Sequence, residues 1–327
     1  MTGEIITKEL APVVMFVYNR PVHTRKTLNA LMKNELAEKT KLYIFSDGPK
    51  DDADNETLQN IKQVRKIITE RPWCGEVEII EAPVNLGLGT SIRTGVTQII
   101  EKHGWVIVLE DDLVASPVFL NYMNDALEYY ENRKGVFSIS GFCLPPNKLA
   151  IPSDYQYDVF VSLRNSSWGW GTWVDRWGKV DWDIKNYNTI SEDPYIKEAI
   201  NRGGDDVFEL LSSQVFGKLD IWSIQFTLAH FVNHAVSIVP TSSYVDNIGL
   251  DGSGTNCSPI NSLGNPSLCL NKNVRFLDIL YEDRRIINSF YNVYCHENRP
   301  VWQKIINKTS RILGNKSLFN IKKKIYQ

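Results

Sequence analysis

The stretch VIVLEDDLVASPVFL, residues 106–120, is apolar for four positions and then places three carboxylates side by side, at Glu110, Asp111 and Asp112. Adjacent like charges raise one another's pKa and cost energy unless a positive group lies nearby, although a solvated loop is the plain alternative. Mn²⁺ or Mg²⁺ would be a suitable partner, because such cations prefer oxygen ligands and bind one or two carboxylates together with substrate phosphates. The stretch therefore predicts a buried strand that ends at a cation and diphosphate site, with Asp112 or Asp111 as the direct ligand.

Strands and helices alternate on the N-terminal side of this stretch. Apolar runs predict strands at 12–19, 42–46, 77–83 and 105–110, and helical periodicity predicts helices at 24–34, 56–70 and 90–102. Beyond the stretch, a helix to about residue 132 and the strand GVFSISGF (135–142) are expected. This alternation indicates an α/β fold with right-handed crossovers and a mainly parallel sheet.

Polar residues follow four of the predicted strands. In open α/β sheets, ligands bind at the carboxyl ends of the strands. Exposure to solvent explains any one polar end, but four together favour a binding site at this edge. The four ends are Asn19-Arg20, Ser46-Asp47, Asn85-Leu86-Gly87 and Glu110-Asp111-Asp112.

Composition excludes several functional classes. The chain has 327 residues and a formal net charge of −2, which gives no reason to expect a nucleic-acid partner. Its five cysteines form no CxxC pair, which favours a reducing compartment. The N-terminus lacks the features of a signal peptide, and no apolar run reaches the roughly 18 residues that a membrane span needs. A soluble, cytoplasmic protein is expected.

Ordered motifs from Val13 to about Thr255 resemble the GT-A fold glycosyltransferases, and in particular N-acetylglucosaminyltransferase I and its bacterial relatives. The motifs are FVYNRP (16–21), FSDG (45–48), VIVLEDDL (106–113), SSWGWGTWVDRW (166–177), KLDIWSIQF (218–226) and VPTSSYVDNIGLDGSGT (239–255). NLGLGTSIRTG (85–95) has a wider likeness to family 2 glycosyltransferases. The resemblance implies a Rossmann-like nucleotide-binding sheet with helices on both faces, fused to an acceptor-side lobe.

The resemblance also implies roles for individual residues. It places Asp220 as the general base and Asp112 as the ligand of Mn²⁺ or Mg²⁺. Nucleotide contacts are implied for Arg20, Asp47, Arg93, Glu110 and Asp111, and sugar contacts for Trp168, Gly169, Trp170 and Ser243. Departures from the family pattern stand at Ile221, Val239 and Tyr244, so the identity of the donor sugar does not transfer.

Two of these assignments have plain structural alternatives. Asp220 precedes the helical pattern IWSIQFTLAHFVNH, as an N-cap residue does. The tryptophans of SSWGWGTWVDRW could fill the core, whereas the interleaved Gly169 and Gly171 favour an open, sugar-stacking groove at Trp168 and Trp170.

The predicted organisation has three parts. Residues 1–145 form the half that binds the nucleotide sugar, 146–260 the half with the acceptor site and the base, and 261–327 a helical, basic C-terminal extension. From residue 299 the tail has no acid and many Lys and Arg among apolar residues. Such a tail could contact the inner face of the membrane peripherally, or could pack as a helix with a solvated basic face.

Together with these observations, the resemblance implies an inverting, metal-dependent hexosyl- or N-acetylhexosaminyltransferase. A UDP-sugar is the favoured donor, and the acceptor is an oligosaccharide or a lipid-linked glycan of a bacterial surface polysaccharide such as O-antigen or capsule. A sugar-nucleotide nucleotidyltransferase is the alternative among enzymes, but FVYNRPVHT lacks the Gly-rich loop expected after its first strand. A carbohydrate-binding or scaffold protein on a degenerate transferase fold is the alternative outside enzymes.

Overall fold

The computed structural model describes residues 9–251 and 267–295. Ten strands lie in this part of the chain, with the bounds β1 (Val13–Val17), β2 (Lys41–Ser46), β3 (Glu76–Glu81), β4 (Trp105–Glu110), β5 (Leu113–Ala115), β6 (Val136–Ser140), β7 (Val159–Ser162), β8 (Trp170–Trp173), β9 (Val236–Pro240) and β10 (Val245–Asn247). The α-helices are α1 (Pro21–Met32), α2 (Asn55–Ile68), α3 (Leu88–His103), α4 (Phe119–Tyr130), α5 (Val174–Trp177), α6 (Tyr187–Glu192), α7 (Pro194–Ile200), α8 (Val207–Val215), α9 (Trp222–Val232) and α10 (Arg284–Tyr294).

Eight strands form one sheet in the order β3-β2-β1-β4-β8-β6-β9-β7. The first four are parallel to one another, as the alternation of strands and helices predicts. β8 is antiparallel to both β4 and β6, and β7 is antiparallel to β9. The mainly parallel prediction is therefore correct for the N-terminal half, whereas the C-terminal half of the sheet is mixed.

Helices cover both faces of the sheet, because alternate side chains of its central strands point to opposite sides. In β1, Val13, Met15 and Val17 join the core under α1, α2 and α4. Val14 and Phe16 join the core under α3, α5 and α9. The strand is buried on both faces, which explains why its sequence is continuously apolar rather than alternating.

A two-stranded antiparallel ribbon lies beside the carboxyl end of β4. β5 follows the acidic residues directly, and β10 pairs with it in the register Val245↔Ala115 to Asn247↔Leu113. A short 3₁₀ turn over Ile248–Asp251 continues the chain after β10. We call residues 245–251 the strap, because this segment runs over the acidic end of β4.

The described part of the predicted C-terminal extension packs on the body of the protein. Leu277 and Ile286 are buried in the core beneath α4, and the Arg133 guanidinium donates to the Leu277 carbonyl at 2.7 Å. α10 lies within the predicted extension, whose bounds stay a prediction, and the basic tail from residue 299 lies outside the described residues. Within 9–251 and 267–295, no helix has the length and apolar character needed to cross a membrane.

Candidate active site

Three carboxylates and one guanidinium meet at the carboxyl end of β4. Asp111 and Asp112 are buried, with only 4% and 6% of their surface exposed, and Glu110 is half-buried. The Arg20 guanidinium, at the end of β1, donates to both oxygens of Asp111, and its Nη1 lies 2.9 Å from Asp112 Oδ2. The positive group that the sequence pattern requires is therefore present in the chain itself. Arg20 was predicted to contact a nucleotide, but its contacts here are the two aspartates.

One guanidinium does not offset the charge of three acids. Burial raises the pKa of Glu110 to about 8, and the charges of Asp112 and Asp111 add to this shift. Burial also raises the pKa of Asp111 to about 6, although the Arg20 charge opposes the rise. Both carboxyls would hold their protons less firmly beside a further positive charge. These three residues, Glu110, Asp111 and Asp112, which we call the acid cluster, therefore carry more negative charge than Arg20 offsets.

The family resemblance implies a divalent cation, which needs several oxygen ligands at the site. Among the described residues, no three His, Cys, Asp or Glu side chains form a group that could hold a metal ion alone. The acid cluster does supply hard oxygen ligands and an excess of negative charge. Mg²⁺ and Mn²⁺ sites often use one or two carboxylates, with phosphate oxygens and waters as the remaining ligands. The residues fit a cation site that uses one or two carboxylates together with phosphate oxygens. Asp112 would hold the cation there together with a substrate diphosphate.

The strap covers the acid cluster at close range. The Ile248 amide donates to the Asp112 carbonyl at 2.9 Å, so the strap is bonded to the backbone of the cluster. A Cβ atom on Gly249 would overlap Asp112 Oδ2 and would lie 2.9 Å from Arg20 Nη1. Beyond it, Asp251 Oδ2 lies 3.1 Å from His23 Nε2 on α1. Glycine at 249 therefore allows the backbone to rest directly on the pair of Arg20 and Asp112.

Asp47 anchors the loop that leads into α3. Its carboxylate accepts hydrogen bonds from the Leu86 amide at 2.8 Å, the Gly87 amide at 3.2 Å and the Asn85 side chain at 2.9 Å. Gly87 has φ 76°, a conformation that favours glycine, and it is the residue before the first turn of α3. Asp47 thus joins the end of β2 to the start of α3. Its predicted nucleotide contact stays a prediction.

Asp220 is exposed and lies against the first turn of α3. A Cβ on Gly89 would overlap Asp220 Oδ1, and a Cβ on Gly87 would lie 3.5 Å from Oδ2. The N-cap of α9 is Ile221, so the alternative in which Asp220 caps this helix is wrong. The predicted base therefore lies at the carboxyl edge of the sheet, beside the loop that Asp47 holds. Its role as the base stays a prediction.

Three of the four predicted sugar contacts lie inside the protein, which corrects the open-groove hypothesis. Trp170 is 1% exposed and stacks on Trp222 with a centroid distance of 4.8 Å. Gly169 is buried with φ 63°, where a Cβ would lie 2.9 Å from a Val245 methyl group. The buried Ser243 hydroxyl donates to the Val245 carbonyl at 2.7 Å. Because these three residues are buried, they do not offer a surface for direct sugar contact. Gly169 and Ser243 instead contact Val245 of the strap, and Trp170 packs in the core.

Trp168 and Arg93 retain exposed surface. Trp168 is half-buried and packs edge-on against Phe142, with a centroid distance of 4.4 Å. Arg93 is exposed on α3, and its guanidinium carbon lies 5.9 Å from the centroid of the Trp182 ring. Their contacts with sugar and nucleotide stay predictions.

Sequence reasoning missed the two glycines that touch the acids. Gly89 and Gly249 each lie against a carboxylate that was predicted to be functional, but no motif rule points to these contacts. Gly89 lies in the first turn of α3 and Gly249 in the 3₁₀ turn of the strap, where the missing side chain allows close approach. The only signal was their position, inside NLGLG and NIGLDG.

Comparison with known families finds a match for the N-terminal half. Residues 13–171 match the family model described as Glycosyl transferase family 2. No curated protein matches the sequence. The family match, over residues that include β1 to β4 and the acid cluster, confirms the predicted GT-A fold and the predicted resemblance to this family.

Solved structures show more distant likeness. TarS from S. aureus is 14% identical with a TM-score of 0.40, and the match covers 72% of this chain but only 36% of TarS. The mannosyltransferase PcManGT from Pyrobaculum calidifontis, in complex with GDP-Man and Mn²⁺, is 11% identical with a TM-score of 0.36, covering 68% of this chain and 76% of its own. UDP-glucose pyrophosphorylase complexed with UDP-glucose is 14% identical with a TM-score of 0.35, covering 71% and 90%.

Proposed function

We propose, from the match of residues 13–171 to the Glycosyl transferase family 2 model, that this chain is an inverting, metal-dependent glycosyltransferase. It moves a hexosyl or N-acetylhexosaminyl group from a nucleotide sugar, with UDP-sugars favoured, to an oligosaccharide or a lipid-linked glycan. A place in the synthesis of a bacterial surface polysaccharide, on the cytoplasmic side of the membrane, is part of the proposal.

One observation carries the proposal. The acid cluster and Asp220 both lie at the carboxyl edge of the parallel half of the sheet, where an α/β fold binds its ligands. An inverting transfer needs two functions there. One is positive charge beside the departing diphosphate, and the other is a base beside the acceptor hydroxyl. Asp112 and Asp220 supply carboxylates suited to each of these functions.

Asp112 would hold Mn²⁺ or Mg²⁺, which when bound offsets the negative charge that develops on the diphosphate. Asp220 takes the proton of the acceptor hydroxyl as that oxygen attacks the anomeric carbon. The new bond joins this carbon to the acceptor oxygen, and the bond from the carbon to the diphosphate oxygen breaks with its electron pair on the diphosphate. Attack from the face opposite the leaving group inverts the anomeric configuration.

Donor binding involves the remaining polar strand ends. Asp47 holds the 85–87 loop in place, and Arg93 extends from the helix that follows. We infer that Asp47 and Arg93 lie beside the nucleoside part of the donor. The buried Asp111 and the half-buried Glu110 form the floor beneath its ribose and phosphates.

A transfer assay tests the proposal. The purified chain is incubated with Mn²⁺, with UDP-, GDP- and dTDP-sugars in turn, and with a panel of oligosaccharide acceptors. We expect release of one nucleoside diphosphate, loss of turnover in EDTA, and a product of inverted configuration by NMR. Asp112→Asn should abolish turnover, whereas Asp51→Asn, which changes an exposed carboxylate on a nearby loop, should not.

Two results would contradict the proposal. Absence of both turnover and nucleotide-dependent thermal stabilisation with every donor would favour a binding protein on a transferase fold. Release of pyrophosphate from a nucleoside triphosphate and a sugar phosphate would show a nucleotidyltransferase instead.

A further inference from the structure

Arg20 is fully engaged by the acid cluster. Its Nη2 and Nε donate to Asp111, and its Nη1 pairs with Asp112 Oδ2, so each guanidinium nitrogen has a carboxylate partner. Only 18% of the Arg20 side chain is exposed, and the Asp111 and Asp112 side chains are 5% and 8% exposed. An arginine with these contacts is a counter-ion of the acids.

The oxygen that Arg20 binds is also the one that the strap covers. A Cβ on Gly249 would overlap Asp112 Oδ2 and lie 2.8 Å from its Cγ. Asp112 Oδ2 is thus close to both the guanidinium and the strap backbone. A cation cannot coordinate this oxygen from the space that these two groups fill while both stay in place.

A cation and the guanidinium also compete by charge. Two positive groups that share one small carboxylate repel each other, and the low dielectric of a buried site strengthens this repulsion. The acid cluster gains most of its compensation from Arg20 when no cation is bound. Removal of that compensation should leave the carboxylates with greater affinity for any other cation.

We propose that Arg20 is an internal counter-ion that holds Asp112 in the cation-free protein, and that the divalent cation binds in competition with it. This inference rests on the proposed function only for the choice of Asp112 as the cation ligand. Arg20 is a positioning residue in this account. Its substitution should tighten cation binding, which is the opposite of the effect expected from loss of an ordinary binding residue.

Titration with Mn²⁺ alone, followed by the electron paramagnetic resonance signal of the free ion, tests the competition. We expect Arg20→Met to bind Mn²⁺ at least tenfold more tightly than the wild-type chain. Arg20→Lys should lie between them, because one ammonium cannot bridge Asp111 and Asp112 as the planar guanidinium does. Arg25→Met removes an exposed arginine of α1 that pairs with Glu70, and it should leave the affinity unchanged.

Folding of the variants is followed by thermal unfolding in EDTA and in Mn²⁺. Arg20→Met should unfold at a lower temperature than the wild-type chain in EDTA, and Mn²⁺ should raise its unfolding temperature by more. If Arg20→Met does not fold, the comparison rests on Arg20→Lys, which retains the charge. Equal or weaker Mn²⁺ binding by the folded Arg20 variants overturns the inference, and so does Mn²⁺ binding that survives Asp112→Asn.

The two proposals fail in different ways. Tighter Mn²⁺ binding by Arg20→Met, without glycosyl transfer from any donor, would sustain the counter-ion role and remove the proposed activity. Transfer by the wild-type chain, with no gain in Mn²⁺ affinity in either Arg20 variant, would sustain the activity and remove the counter-ion role.

Discussion

Gly89 leaves space for the Asp220 carboxylate at the first turn of α3. A Cβ on Gly89 would overlap Asp220 Oδ1 and lie 3.2 Å from its Cγ. The two residues come from opposite halves of the chain, 131 positions apart by their numbers, 220 − 89. Their contact therefore brings the second half of the chain to the carboxyl edge of the parallel strands, at the first turn of α3.

Gly89→Ala should move the Asp220 carboxylate without unfolding the protein. Alanine is favoured over glycine in a helix by up to about 1 kcal/mol, and the atom in its way belongs to a short exposed side chain that can rotate. We expect unchanged or slightly raised stability together with at least a tenfold loss of kcat, on the basis that a small displacement of a base has a large effect. Ser91→Ala, in the same helix, is the control. Wild-type kcat in Gly89→Ala would contradict the role of this contact.

Asp220→Asn should remove proton transfer and leave donor binding intact. The amide is nearly isosteric but cannot accept the proton, and general base catalysis contributes about 10²- to 10⁴-fold. We expect kcat to fall within that range while the dissociation constant of the donor, measured by calorimetry, changes less than about threefold, because the amide keeps the size and position of the carboxylate. A variant with nearly normal kcat would show that the base is another group.

Asp47→Ala should weaken donor binding through the loop it holds. The carboxylate accepts three hydrogen bonds from residues 85–87, and loss of such charged acceptors costs about 2 to 3 kcal/mol. We expect lower stability in urea and at least a tenfold weaker donor. Asn85→Ala removes one partner of Asp47 and should reproduce part of both effects. Donor affinity that stays unchanged in Asp47→Ala would exclude this loop from the nucleotide site.

Trp170→Ala should destabilise the fold, in contrast to Trp168→Ala. The Trp170 ring stacks on Trp222 and lies 5.6 Å from the Trp177 ring centroid, so its removal leaves a large cavity and should cost about 3 to 5 kcal/mol. Trp168 is half-buried, and its removal should cost about 1 to 2 kcal/mol by the smaller loss of buried area. Urea unfolding of both variants measures the difference. Equal effects would contradict the burial of Trp170.

His230 should make the protein sensitive to acid. Its ring is buried between the Phe226 carbonyl, at 2.7 Å from Nδ1, and the Ser138 hydroxyl, at 2.8 Å from Nε2. Burial lowers its pKa to about 4 from an ordinary value near 6.5, so the unfolded chain takes up the proton first. Stability from this residue is present above pH 6.5 and is lost as the pH falls toward 4, by about 2 to 3 kcal/mol at pH 4.5.

Urea unfolding of the wild-type chain and His230→Gln at pH 7 and pH 4.5 isolates this contribution, because the other acidic groups titrate in both proteins. The wild-type chain should lose more stability between the two pH values. The same pH dependence in both would show that His230 does not titrate as described.

The sequence predicts the N-terminal half of the fold well because its central strands β1 and β4 are buried on both faces and are therefore continuously apolar. The run at 105–110 becomes β4 with the same bounds, and the run at 12–19 becomes the shorter strand β1. The antiparallel position of β8 between β4 and β6 is not predictable from local pattern. The sequence WGTW has no periodicity that indicates which strands β8 pairs with. Long-range pairing of this kind depends on how the whole chain closes.

The candidate site shows the same division. The acid cluster is evident from sequence because charge directly after an apolar strand is unusual. The sequence places Arg20 at the same edge as the acids, but the ion pairs that it forms with Asp111 and Asp112, 91 and 92 residues further along the chain, are not evident from local pattern. Trp170 was misplaced because interleaved glycines suggest open space. Gly169 and Gly171 instead allow tight packing against Val245 and Met123.

A crystal structure of the chain with Mn²⁺ and a nucleoside diphosphate tests most directly whether the carboxyl edge of the sheet is the donor site. We expect Mn²⁺ on the Asp112 carboxylate, the diphosphate between the cation and the strap, and Asp220 facing the open side of the same cleft. A nucleotide bound elsewhere, or an Asp220 carboxylate separated from the diphosphate by packed side chains, would contradict the proposed glycosyl transfer.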